Sequence, residues 1–416
     1  MDNIDELLSE RHVNSSATDV LAEPLIGDKK PIRALYEQSW EADDPPSITE
    51  FIGIVCNTKP ISFFGEEFNT VGGISTDPDE ARRKAIGEAI ERYCMSISLE
   101  TELVHGTADV INAVDPEVFN KTSNSIPLDN TYYWVSAYDI LDEKRVRIPS
   151  QFVYVPAYST GEFIRSPIST GAACHLTPRD AFTAGLLEAV ERDAFMIHYQ
   201  NRIPGRELTV DLLCDHCETV SEIEEYGFDI QLLYLQVDIP VHVVLCILWD
   251  TELSYFQLGL SAGFSLDETA FSALIESFQG RHWLRKEANP PAKINTIEQR
   301  AAFWRTKENL QGVEHWRETT VVSAKDVSSV DTVEQLISEI QSKGMDLFVA
   351  DLTTPDVAAQ DFTVLKTIVP QLEPLYLDET YRHVGGERLY EAPVTAGLLD
   401  QHRSPDKLNE VPHPFI

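Results

Sequence analysis

The run Gly185-Leu186-Leu187-Glu188-Ala189-Val190-Glu191-Arg192-Asp193-Ala194 reads as a helix with two faces. Glu188 and Glu191 are three residues apart, so they share one side, with Arg192 next to them. Leu186, Leu187, Val190 and Ala194 fall on the other side at helical spacing, the pattern of a helix packed on a sheet. Upstream, Thr177-Pro178-Arg179-Asp180-Ala181 supplies the start. Threonine is an N-cap type, and proline fits the first helical position, where no N–H is needed. Before that, Ser169-Thr170-Gly171-Ala172-Ala173 is a glycine-containing run suited to a strand. The order is strand, turn, capped helix through about Phe195.

The same order occurs twice more. Thr70-Val71-Gly72-Gly73-Ile74 leads to Asp77-Pro78-Asp79-Glu80-Ala81 and a helix through Arg92. Leu258 to Gly263 leads to Ser265-Leu266-Asp267-Glu268 and a helix through about Leu284. Ser265 with Glu268 has the form of a capping box. Asp77 to Glu88, Thr177 to Glu188 and Ser265 to Glu276 are all 11 residues apart, and three further on stand Glu91, Glu191 and Gln279. Arg92, Arg192 and Arg281 accompany them. Ala85, Ile86, Ala89, Ile90 and Tyr93 form the apolar face of the first helix, and Phe271, Leu274, Ile275 and Phe278 that of the third. The expectation is an α+β fold, mainly antiparallel sheet, with three strand-turn-helix units.

The chain has 416 residues, 43% of them hydrophobic, and a formal net charge of −35. Such acidity argues against nucleic acid, whose phosphates call for basic patches. No stretch approaches the ~20 apolar residues of a membrane span, and Met1-Asp2-Asn3-Ile4-Asp5-Glu6 lacks the form of a signal peptide. A cytoplasmic protein is expected, and the dispersed acidity suits a high-salt cytoplasm. The cysteines Cys56, Cys94, Cys174, Cys214, Cys217 and Cys246 read as reduced thiols. Cys214-Asp215-His216-Cys217 is a single C-x-x-C, and a structural zinc site normally needs four ligands.

A lone Glu-x-x-Glu-Arg is usually a solvated face with weak ion pairs. Three copies in matched register read differently. If the helices converge, Glu88, Glu91, Glu188, Glu191 and Glu276 crowd together, which is unfavourable unless cations lie between them. Mg²⁺ favours oxygen ligands and is commonly shared between carboxylates and phosphates. Arginines hold phosphate oxygens well. A carboxylate–Mg²⁺–triphosphate site follows, in a chain with no P-loop and no kinase-type H-R-D or D-F-G.

These three motifs resemble the ATP-binding motifs of the YcaO family, most of all its SagD-like cyclodehydratases. Ala350-Asp351-Leu352-Thr353-Thr354-Pro355-Asp356 and the ending Pro412-His413-Pro414-Phe415-Ile416 extend the resemblance, which runs from about Pro24 to the C-terminus. It implies that Glu88, Glu91, Glu188 and Glu191 bind Mg²⁺ and the triphosphate of ATP. It further implies that Arg92, Arg192, Glu276, Gln279 and Arg281 line the nucleotide site. Pro412, Pro414 and Ile416 match a proline-rich tail that reaches the active site, with isoleucine where the last proline is usual. Lys84 stands where the first motif often has serine, and Val71-Gly72-Gly73 lacks a G-K-G lysine.

The reaction implied is attack by a Cys, Ser or Thr side chain of a ribosomal precursor peptide on the preceding amide carbon. The oxyanion takes the γ-phosphoryl of ATP, phosphate leaves, and a thiazoline or oxazoline remains. A leader-binding partner protein is expected, and a homodimer is compatible with the sequence. External sulfide or an amine as nucleophile would instead give a thioamide or an amidine. A docking scaffold without catalysis is the remaining alternative, with no need for crowded carboxylates.

In domain terms, residues 1–22 are polar and expected to be disordered or loosely attached, 23–416 form one YcaO domain, and 410–416 are its tail. Tyr132 to Ala157 reads as hairpins and Val330 to Leu352 as helix then strand. His198, His282 and His383 show no triad-like grouping, and His383 reads as structural.

Overall fold

A computed structural model describes residues 4–9, 17–40, 44–63, 69–122, 125–127, 129–157, 163–250, 256–281, 291–305 and 307–415. His282 and Ile416 lie outside them. In chain order the strands are β1 (Ile32–Glu37), β2 (Thr49–Val55), β3 (Asn69–Ser75), β4 (Val104–Gly106), β5 (Tyr132–Asp139), β6 (Lys144–Pro149) and β7 (Ala172–His175). They continue with β8 (Arg206–Leu208), β9 (Phe228–Tyr234), β10 (His242–Asp250), β11 (Phe256–Gly263), β12 (Thr320–Val321), β13 (Phe348–Asp351) and β14 (Thr363–Ile368). Helices used below are α1 (Ile4–Leu7), α2 (Ala17–Ala22), α3 (Pro78–Met95), α4 (Ala108–Ile111), α5 (Pro178–Gln200), α6 (Cys217–Glu225) and α7 (Leu266–Glu276).

Where one domain over 23–416 is expected, the chain divides into two compact units. The first comprises Met1–Gln38, Thr49–Ala189 and Ile340–Gln371. It holds the sheet β1-β2-β3 and the sheet β4-β5-β13-β14-β7, with β6 paired to β5. All these strand pairs are antiparallel. α3 packs on β2 and β3 and also touches β7. Ala85, Ile86, Ala89, Ile90 and Tyr93 are all buried, as the helical spacing predicts. At ~1.5–3 kcal/mol for each large apolar side chain taken from water, this face anchors the helix. The β5–β6 hairpin and the order helix then β13 also follow the sequence reading.

The second unit comprises Ser39–Ile48, Val190–Glu339 and Leu372–Ile416. Its sheet runs β11-β10-β9-β8-β12, antiparallel except for β8 with β12. β10 is almost wholly apolar and buried along Val243–Leu248, as befits a central strand covered on both faces. α7 packs on β10 and β11. Phe195, Tyr199, Trp304, Trp316 and Tyr376 belong to its aromatic core.

The N-terminal segment is ordered where it is described, and one expectation, the extent of the third helix, needs correction. Of residues 1–22, Ile4–Leu7 and Ala17–Ala22 are helical, and Leu7 and Ala22 are fully buried. Polar contacts tie this segment down: Asp19 pairs with Arg82, and Arg179 Nη1 donates to Leu8 O at 2.8 Å. The third motif helix ends at Glu276 rather than near Leu284. Its chain turns through i→i−3 bonds from Phe278 to Ile275 and from Gln279 to Glu276, and Gly280 adopts φ +72°. Glu276 and Gln279 are therefore not a helical pair. Ser265 is the N-cap of α7, but its hydroxyl donates to Asp267 instead of closing a capping box. Thr177 and Asp180 do exchange reciprocal bonds, at 2.7 and 3.1 Å.

β3 approaches α3 so closely that a Cβ on Gly73 would lie 2.2 Å from Ala85 N and 2.3 Å from Ala81 O. Backbone cannot step aside, so Gly73→Ala should cost about 1–3 kcal/mol or more. Gly87 lies within α3 with its nearest neighbour, Cys174 O, at an ordinary 3.7 Å from a built Cβ. Gly87→Ala should gain up to about 1 kcal/mol of helix propensity. Urea melts of the full chain check both signs.

Candidate active site

In the first unit, two of the three repeats place their leading glutamate in the same way. Glu88 Oε2 accepts the backbone N–H of Gly72 at 3.1 Å, and Glu188 Oε2 accepts that of Gly171 at 2.8 Å. A backbone N–H, from β3 in one case and from the turn just before β7 in the other, thus fixes a carboxylate three turns into the following helix. Arg92 Nη2 donates to Glu88 Oε1 at 3.2 Å, and Arg92 Nη1 lies 3.5 Å from Glu91 Oε1. The Asp351–Asp356 segment braces α3, through Tyr93 Oη to Asp356 at 2.9 Å and Cys94 Sγ with Thr354 Oγ1 at 3.5 Å.

The electrostatics show that these carboxylates feel one another. Glu91 is 13% exposed, and its carboxyl is pushed up to about 8. Burial is the main cause, and Glu188 and Glu88 add to it against the pull of Arg92 and Lys366. Arg92 is held above its ordinary value: burial opposes its charge, but Glu91, Glu88 and Glu188 outweigh that. Lys366 of β14 was not singled out from the sequence. Its Nζ donates to Ile168 O at 2.8 Å and Ser169 O at 2.6 Å. Burial pushes it down to about 7, with Glu188 and Glu91 opposing and Arg92 and Arg165 assisting. The available signal was a lone lysine in the otherwise uncharged run Thr363–Ile368.

The other motif residues belong to the second unit. Arg192 Nε lies 3.3 Å from Glu191 Oε1, and Arg192 Cζ stands 4.3 Å from the ring centre of Phe415, a cation–π distance. Tyr199 Oη is 3.1 Å from Val411 O and 3.0 Å from Pro412 O. Arg300 Nη1 donates to His413 O at 2.7 Å, and His413 Nε2 meets Tyr376 O at 2.7 Å. The tail is thus held firmly, with Pro414 buried beside His413. Arg281 closes a buried cluster: Nε to Asp44 at 2.5 Å, Nη1 to Gln257 at 2.8 Å, and its guanidinium 4.5 Å from the Phe228 ring centre. Glu276 ends α7 and Gln279 sits in the turn beyond it.

His383 is buried with Nδ1 3.2 Å from Pro374 O, the structural placement expected. Cys214 and Cys217 are exposed free thiols. Among the described residues, no group of three or more His, Cys, Asp or Glu is already drawn together as a metal site, and no helix is long and apolar enough to cross a membrane. The donor set nevertheless fits Mg²⁺. It offers hard carboxylate oxygens, and Glu91, raised mainly by burial and further by Glu188 and Glu88, is a carboxylate whose charge a divalent cation would stabilise.

A family model described as YcaO cyclodehydratase, binding ATP and Mg²⁺, matches residues 72–373. The chain belongs to the YcaO family. No curated protein sequence matches it. Among solved structures it is similar to a heterocyclase in complex with substrate and cofactor (TM-score 0.79, 17% identity), over 97% of this chain and 58% of that one. It is also similar to the heterocyclase TruD (0.65, 19%), over 80% of this chain and 50% of that one. The third is YcaO from Methanopyrus kandleri bound with AMPPCP and Mg²⁺ (0.67, 21%), over 93% and 99%. The chain spans little more than half the length of the two heterocyclases. These likenesses establish the α+β, mainly antiparallel fold.

A raised Glu91 has a definite sign. Between its unfolded value near 4.5 and about 8 the native state binds the extra proton, so this group's contribution to stability falls as pH rises. In EDTA without nucleotide, Glu91→Gln should therefore gain stability relative to wild type from pH 5 to pH 8, by at most about 1.4 kcal/mol per pH unit. Paired thermal melts check it, and a pH-independent difference would contradict the placement of Glu91.

Proposed function

We propose that this chain is an ATP-dependent cyclodehydratase that converts Cys, Ser or Thr of a ribosomal precursor peptide to thiazoline or oxazoline, as SagD-like members are expected to do. The observation that carries this reading is the doubled carboxylate arrangement. Glu88 and Glu188, in equivalent positions of two repeats, are each fixed by a backbone N–H, with Glu91 in the field of both. A purely structural helix face has no use for such crowding, which lowers stability. The family's description and the AMPPCP–Mg²⁺ complex of the Methanopyrus kandleri protein support nucleotide chemistry. The heterocyclase neighbours, and a microcin synthetase complex from E. coli with pro-MccB17 bound (TM-score 0.57, 14% identity, 81% of this chain and 88% of that one), support a peptide substrate and a protein partner.

In this reading Glu88, Glu91, Glu188 and Glu191 hold Mg²⁺ and the triphosphate. Arg92 and Arg192 neutralise phosphate charge, and Glu276, Gln279 and Arg281 serve the nucleotide by motif position. Mg²⁺ supplies charge neutralisation and a template for phosphate oxygens. The chain's own contribution is positioning: backbone N–H groups set the carboxylates before nucleotide arrives, so little reorganisation is needed. The tail is assigned to the substrate end through Pro412, Pro414 and Ile416. Tyr199, Arg300 and Tyr376 anchor its Val411–His413 stretch.

The test is calorimetry of Mg²⁺-dependent ATP binding in molar KCl, which the −35 charge suggests. Wild type should bind, and Glu188→Gln should weaken binding at least about 100-fold through loss of a charged ligand. A folded wild type that binds no ATP, even with its partner protein present, would overturn the enzyme reading in favour of a docking scaffold.

A further inference from the structure

The tail runs back to the C-terminal half of α5. Asn409 donates its backbone N–H to Gln200 O at 2.7 Å. Tyr199 and Arg300 hold the carbonyls of Val411, Pro412 and His413, and His413 is fully buried. These anchors bring the half-buried Phe415 ring to Arg192 and Phe195. Those two residues are three apart on α5, so they share one face. The Arg192 guanidinium lies over the Phe415 ring, its Cζ 4.3 Å from the centroid. Phe195 meets the same ring at 5.4 Å and 63°. Phe195 is itself fixed, being fully buried and stacked on Tyr199 at 5.8 Å. The helix thus builds a seat for one aromatic side chain of the tail. A guanidinium stacks through its flat face and donates through its edge. At Arg192 the face is on Phe415, and Nε, on the edge, lies 3.3 Å from Glu191 Oε1. Ring and anion can therefore be held at once.

We propose that Phe415 is a positioning residue for Arg192, and that tail and nucleotide therefore bind cooperatively. The docked ring sets the guanidinium for phosphate, and bound phosphate holds the ring down. This rests on the reading above that Arg192 neutralises phosphate charge. An unrestrained arginine side chain has many rotamers, and ordering it during binding lowers affinity. Phe415 restricts those rotamers before nucleotide arrives. Linkage then requires the reciprocal effect of nucleotide on the tail. Phosphate is neutralised best when the tail, with Pro412 and Pro414, is in place, so the nucleotide and substrate ends of the reaction are made ready together.

Two comparisons on the full chain test this. In the first, carboxypeptidase Y acts in EDTA without nucleotide, and the release of Ile416 and then Phe415 is followed by intact mass. Arg192→Met keeps an aliphatic stem and removes the guanidinium. It should speed release of Phe415 by about 3-fold or more, as loss of a cation–π contact predicts. Equal rates overturn the proposal. In the second, ATP binding is measured by calorimetry in excess MgCl₂. Phe415→Leu keeps bulk without a π face and should weaken ATP binding by about 3-fold or more, whereas Phe415→Trp should stay within about 2-fold of wild type. A merely structural contact would move the melting temperature and leave the affinity alone. Wild-type affinity in Phe415→Leu, or Phe415→Trp no better than Phe415→Leu, overturns the proposal. ATP with MgCl₂ should also slow release of Phe415 from wild type, and equal or faster release overturns it. A wild type that binds no ATP defeats the reading above and the nucleotide half of this proposal with it, while the nucleotide-free comparison still decides whether Arg192 seats the ring. Should Arg192→Met fail to fold, the two Phe415 variants decide.

Discussion

Close approach between a strand and the helix that follows it is the constraint on which the rest depends. In the first repeat Gly73 lies against the backbone of Ala81 and Ala85, and in the third Gly259 lies against Ala273 O, where a Cβ would stand 1.9 Å away. In the second, Gly171 and Gly185 meet with comparable closeness. Only where helix and preceding chain come this near can a backbone N–H reach a glutamate three turns along, as Gly72 does for Glu88 and Gly171 for Glu188. Packing and chemistry are thus set by one distance. A side chain on the strand glycine would push the helix out and release the carboxylate together.

The cost of this arrangement is electrostatic. Glu91 is buried and lies in the fields of Glu188 and Glu88, and its carboxyl resists ionisation. The fold answers with partial compensation: Arg92 on the same helix and Lys366 from a strand distant in sequence. A site left slightly too acidic attracts a divalent cation, whereas one fully neutralised by protein would have no affinity to offer.

Much of this was legible in the sequence, and the reasons are specific. Caps, prolines and the shared spacing from cap to glutamate are local signals, so the starts of α3, α5 and α7 were readable. The apolar stripes were readable too, although Leu187 and Phe271 are only half-buried; Phe271 stacks on His216 at 3.5 Å. What escaped the reading was non-local. The end of α7 is set by a turn at Gly280, which a pattern of matched spacing passes over. Lys366 lies 178 positions from Glu188, and only the pairing of β14 with β7 brings it near. α2 meets α3 through an ion pair between Asp19 and Arg82 that no amphipathic pattern announces.

The third repeat shows that a register shared as far as Glu276 and Gln279 need not extend to the arginine beyond them. Arg281 stands 16 residues after its cap, Ser265, where Arg92 and Arg192 stand 15 after theirs, and its guanidinium is packed against Asp44, Gln257 and the Phe228 ring, inside its own unit. A buried arginine with that many partners is expensive to withdraw, because each carboxylate left behind would be an unpaired charge. Arg192, by contrast, lies over Phe415 beside Glu191. The repeat has therefore kept its strand-to-helix packing in all three copies while its arginines have diverged. The conserved spacing records the backbone geometry that holds a carboxylate, and the duty of each accompanying side chain is decided by what the rest of its unit brings to it.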